Sequence, residues 1–280
     1  MIPVHRRLAL AAFGLSLLTA GAALAAADPA PPFSPTRPLR LNNSSDPLLT
    51  LTPPLGRGGP PEANGPTSNA DPRDLEGVWW LNGYEYLLGP EPGVPPPLKP
   101  QYMKVLEDHI RSKNRGFPIA DASTDCKPHG MPRLMESPYP IEIVQTPGQV
   151  TFLHEVAHNL RRIYLDQPQP ATITPSYLGH SVGKWEGDTL VVDTLGLNTK
   201  TFIDDEGSQH SDKLHITERY KKVLGGRALE LTMTVEDPVT LEKPYSYKRY
   251  YTWRPEIRPA EYICEENNRN APVDGVTVAQ

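Results

Sequence analysis

A chain of 280 residues with 33 acidic and 28 basic side chains carries a formal charge of −5, so it lacks the basic surface that phosphate contacts need. Nucleic acid is excluded as a partner on that ground. The only cysteines, Cys126 and Cys264, have no CxxC neighbour, which argues against a thiolate metal site or a redox motif.

Residues 1–25 read as a secretory signal peptide: His5, Arg6 and Arg7 give a basic start, 8–24 is apolar or small, and Ala23-Leu24-Ala25 offers a cleavage site. The many alanines and the missing charged stop argue against a membrane anchor. A periplasmic or secreted location follows, with a mature chain more negative still, and an oxidising compartment lets Cys126 and Cys264 pair. Residues 26–73 are rich in Pro and Gly with little apolar periodicity, which predicts a disordered or loosely wrapped leader. Residues 74–268 leave about 195 positions, enough for one domain with a full core, and 269–280 is a short tail.

Within that domain, Met103, Leu106 and Ile110 fall at helical spacing over 100–113, with Pro100 tolerable in the first turn. The remainder reads as strands. Residues 141–146 alternate before the Pro147-Gly148 turn, and 190–194 follow the Glu186-Gly187-Asp188 turn. Residues 214–223 pair with 228–235 across Gly225-Gly226, and 245–253 alternates aromatics. Successive hairpins with one amphipathic helix predict a mostly β fold, an antiparallel meander that must close to hide its edges. Gly77-Val78-Trp79, at the start of the first strand, resembles the signature of lipocalins and related calycin barrels, and that resemblance implies a lipocalin-like β-barrel with the tryptophan plugging its closed end.

A wider resemblance rests on the strings CKPHGMPRLM, PYPIEIVQTPGQVTFLHE, RRIYLD, GHSVGKWEGDTLVVDT, HSDKLHITERY and YICEENN. Together they look like an uncharacterised family of exported bacterial proteins. That resemblance implies export and a compact, mostly β domain, but no reaction.

Two constellations carry chemistry. His154-Glu155-Val156-Ala157-His158 on a helix would hold zinc between His154 and His158, with Glu155 activating the bound water as in a metallopeptidase and His180, Glu186 or His210 as third ligand. The β-branched and aromatic residues at 150–152 and 163–165 favour instead a hairpin turning at Ala157-His158-Asn159. The second set is His180, Asp193, His210, His215, Glu218 and Arg219. On a strand, His215, Thr217 and Arg219 share one face while Ile216, Glu218 and Tyr220 share the other. The expectation is cofactor-free acid–base catalysis of isomerase or lyase type on a small, largely apolar molecule enclosed by the barrel. His215 or His210 serves as base, Glu218 or Asp193 orients it and Arg219 stabilises charge. Trp185, Tyr177 and His180 are expected to bind the substrate, and 195–213 is long enough to form a lid. A carrier without catalysis and the zinc peptidase remain as alternatives. The clustered acids Asp204, Asp205 and Glu206 invite a calcium reading, although their spacing matches no EF-hand. Nothing in the sequence fixes the oligomeric state.

Overall fold

A computed structural model describes residues 40–49, 51, 58–62, 64–117, 119–267, 272–273 and 276–277; the predicted signal peptide and the first part of the leader lie outside them. Nine strands close into one barrel in sequence order: β1 Gly77–Leu81, β2 Ile141–Thr146, β3 Gln149–His154, β4 Leu160–Leu165, β5 His180–Glu186, β6 Thr189–Leu195, β7 His215–Val223, β8 Ala228–Glu236 and β9 Tyr245–Trp253. The last strand returns to the first, Trp79 facing Trp253 in the register, which closes the ring of strands. Period-two patterning produces this wall. In β9, for example, Tyr245, Tyr247, Arg249 and Tyr251 are buried while Ser246 and Lys248 point to water.

One join departs from the predicted meander. The chain leaves β4 at Leu165 and re-enters at His180, and its return makes β4 and β5 parallel, with Ile163, Tyr164 and Leu165 facing Ser181, Val182 and Gly183. A parallel neighbour needs a crossover of a dozen or more residues, and 166–179 supplies it. The pairing begins only at Ile163. Leu160, Arg161 and Arg162 therefore have no ladder partner on that side, and the barrel wall is gapped there.

The tryptophan of Gly77-Val78-Trp79 packs inside the barrel at the start of β1. Trp79 is fully buried, its Nε1 donates to the Leu75 carbonyl at 2.8 Å, and its ring meets Trp253 edge-on at 5.1 Å. Gly77 has φ 114°, and a Cβ there would stand 2.0 Å from the Trp253 ring, so only glycine admits that packing. The opposite end is covered by chain. Helix α1, Pro100–Asn114, buries Leu106 and Ile110, and the loop between β6 and β7 buries Ile203, Asp204, Glu206 and Ser208. The length of that loop suits a lid, but its burial makes it a packed cover. The turn Arg133–Glu136 enters the barrel, where Glu136 pairs with Arg249 at 2.8 Å and the Tyr251 hydroxyl donates to the Met135 carbonyl at 2.5 Å.

The described part of the leader is wrapped rather than disordered. Leu41, Leu49 and Leu51 are buried in the main core, Arg111 of α1 pairs with Asp46 at 2.9 Å, and Asn114 donates to the Leu48 carbonyl at 2.9 Å. Sparse leucines among prolines suffice because each is buried in the common core, and the turn Pro47–Leu49 packs on α1. At the other terminus Cys264 opens the single turn α2, Cys264–Asn267, and is disulfide-bonded to Cys126 with 5.6 Å between their Cα atoms. Among the described residues no helix is long and apolar enough to cross a membrane.

Candidate functional site

The HEVAH segment is a hairpin turn. β3 ends at His154, Ala157 and His158 take left-handed conformations with φ 51° and 46°, and β4 starts at Leu160. His154 faces into the barrel and His158 is exposed, so the two imidazoles share no helical face and the zinc geometry of that motif is not formed. The turn holds the C-terminal strap instead. The Ala260 amide donates to Glu155 at 2.7 Å, the Tyr262 amide donates to His158 Nε2 at 2.9 Å, and the Tyr262 ring packs edge-on against Tyr139. His154 is the odd member: neither ring nitrogen has a hydrogen-bond partner among the described residues, and burial, with Arg161 and His129 nearby, holds its pKa down to about 3.

The three clustered acids are each committed separately. Asp204 accepts the backbone amides of Leu88, Glu206 and Ser208, Asp205 binds Arg133 and the Tyr84 hydroxyl, and Glu206 pairs with Lys113. Burial raises Asp204 to about 6 despite those amides. They form no common cation cradle.

The polar residues of β7 split between the two faces of the wall. Glu218 is fully buried inside, held bidentate by Arg161 and accepting the Tyr220 hydroxyl at 2.5 Å. Arg161 also donates to Ser181 Oγ and Thr194 Oγ1 at 3.0 and 2.9 Å, so five residues from four strands make one closed polar cluster. Burial alone would lower the Arg161 pKa; Glu218 beside it holds the guanidinium above its usual value. His215 and Arg219 stand outside, and Arg219 pairs with Glu186 at 3.1 Å. The expected orientation of His215 by Glu218 is therefore not formed, because strand alternation puts them on opposite faces.

Asp193 does meet His215. Its Oδ1 lies 2.5 Å from Nε2, while Glu236 reaches Nδ1 at 3.0 Å, so both ring nitrogens face carboxylates and the side chain ties β6, β7 and β8 together. His210 is buried with Nδ1 on the Ser211 carbonyl at 3.0 Å and Nε2 on Thr201 at 3.3 Å, and burial lowers its pKa. Neither ring keeps a free nitrogen for a substrate.

His180 does. Gln169, on the crossover, donates through Nε2 to Asp193 Oδ2 at 2.9 Å and to the Asp193 carbonyl at 3.0 Å, which turns its Oε1 to His180 Nδ1 at 3.1 Å. In this network Nδ1 is the donor to Gln169, and Nε2 makes no hydrogen bond to any described residue. The ring is held flat against Tyr164, centroids 5.1 Å apart and planes 18° apart. Both rings line a cleft of about 330 Å³ at the gap in the wall, together with Tyr177, Leu160, Arg162 and the buried Arg161. Tyr177 and His180 thus line one cleft. Trp185 stands near the other end of β5, under the Arg73 guanidinium at 5.9 Å.

Sequence reasoning missed Arg161, Arg162, Tyr164 and Gln169. RRIYLD as a strand puts adjacent arginines on opposite faces, and that signal was available; Gln169, in an irregular crossover, gave none.

Comparison with known proteins adds little. The chain matches no protein-family model and no curated protein. Among solved structures, a luciferase domain from the dinoflagellate Lingulodinium polyedrum is similar at 14% identity and a TM-score of 0.32, over 81% of this chain and 57% of that one. The chain spans less than two thirds of that protein's length, and a match this loose fixes neither ligand nor reaction.

Proposed function

We propose that this is an exported small-molecule enzyme of isomerase or lyase type, working by acid–base chemistry in the wall cleft between β4 and β5 with His180 as the base. The observation that carries it is the Asp193–Gln169–His180 chain, which leaves an unengaged Nε2 on a ring lining a ligand-sized cleft. Asp193 and Gln169 are positioning residues: they fix the tautomer and hold the ring. In this reading Nε2 removes a proton from carbon next to a carbonyl, and the Tyr177 hydroxyl donates to the oxygen on which charge develops. His215 keeps a supporting part by locking the Asp193 carboxylate. Each of these steps uses side chains alone. Export is supported by the signal-like start of the chain and by the disulfide.

Binding without catalysis is the second reading, and the same cleft serves it. Incubating wild type and His180→Gln with a small-molecule extract in D2O, and following masses, separates the two. The catalytic reading expects conversion or deuterium uptake by wild type, about 10²–10⁴-fold slower in His180→Gln, with retained ligand in both. Equal rates in both proteins overturn His180 as base. Retention without any conversion in wild type favours the carrier.

A further inference from the structure

We infer that the wall cleft selects a planar organic monoanion, a carboxylate carried on a flat, apolar, aromatic or conjugated body. This rests on the cleft being the ligand site and adds the class of ligand it takes.

Charge comes first. Among the described residues no aspartate or glutamate lines the cleft, although the chain as a whole is acidic. Two arginines do line it, and they differ. Arg161 is neutralised from within by Glu218 and has further donors on Ser181 and Thr194. Arg162, next along β4 and on the outer face, is exposed and makes no ion pair or hydrogen bond with any described residue. Arg162 therefore gives the cleft an unspent positive charge, on a planar fork suited to carboxylate.

Shape comes second. The stacked Tyr164–His180 pair offers a flat platform, and Pro128, Leu160 and Leu178 supply apolar walls. Leu160 is 41% exposed, one of few large apolar side chains left to solvent among the described residues. A volume of about 330 Å³ is at the small end for ligand pockets, which disfavours long chains and lipids. The cleft at the β7–β8 end is a contrast: about 590 Å³, it mixes Lys99, Lys213 and Lys243 with Glu236, Asp237 and Glu242, so no single charge dominates it.

The test uses four probes on the purified protein by isothermal calorimetry, with ring signals of His180 followed by NMR: cinnamate, cinnamamide, 3-cyclohexylpropanoate and phenethylammonium. Cinnamate is expected to bind about tenfold more tightly than cinnamamide at low salt, and to shift the His180 signals. That gap closes in Arg162→Gln and is partly kept in Arg162→Lys; because Arg162 is exposed and unpaired, both variants fold, which far-UV circular dichroism verifies. Equal binding of cinnamate and its amide overturns the charge assignment, equal binding of the cyclohexyl acid overturns planarity, and preference for the ammonium overturns both. Should no probe shift His180, this inference fails, whereas the acid–base reading stands or falls separately on the rates of wild type and His180→Gln.

Discussion

At the scale of single residues, the barrel interior is costly to disturb because its charges are matched one to one. Arg161→Met leaves Glu218 uncompensated at a fully buried position and is expected to cost about 3–5 kcal/mol in urea unfolding. Replacing both partners, with Glu218→Leu added, should recover most of that loss, since the pair itself contributes little beyond its own desolvation. His154 gives a pH signature. Its pKa of about 3 lies below the ordinary 6.5, so between those values the unfolded chain takes up a proton that the folded one refuses. Stability therefore falls as pH drops from 6.5, by up to about 1.4 kcal/mol per unit from this group. Denaturant midpoints at pH 7, 6 and 5 should show the slope, and His154→Leu should flatten it; His129, pushed down to about 4 mainly by burial, leaves a remainder.

At the scale of elements, two segments have backbone requirements that substitutions expose. Gly77→Ala drives a methyl into Trp253 and is expected to cost about 1–3 kcal/mol from overpacking alone, with altered tryptophan fluorescence. Ala157→Gly, in contrast, relieves a left-handed alanine in a half-buried turn and should raise the thermal midpoint slightly. Strand legibility in the sequence follows from the same physics. Residues 141–146 and 245–253 were readable to the residue because one face of each is buried, which imposes period two. The parallel join of β4 and β5 was not, since nothing in 166–179 distinguishes a crossover from a wide hairpin loop. That omission cost most of the candidate site: the gap, Arg162 and Gln169 all depend on it. Tyr177 and His180 were legible as chemistry-bearing residues, whereas His215, equally conspicuous in sequence, proves to be saturated by Asp193 and Glu236.

At the scale of the whole molecule, the Cys126–Cys264 bond spans 138 positions and fastens the segment between α1 and β2 to the C-terminal strap. In the chain-entropy model it stabilises the fold by about 5 kcal/mol. Reduction, or the Cys126→Ser and Cys264→Ser pair, should lower the unfolding midpoint and loosen Tyr262 from His158, seen as a change in the exchange rate of the Tyr262 amide. The closing of β9 onto β1 has another consequence, for the order of events in a growing chain. β1 is made first yet finds its second neighbour only when Tyr245–Trp253 has been made. Until then the domain is an incomplete sheet with two open rims, so a nascent chain halted after β8 has no finished barrel, and the final strand sets the moment of closure.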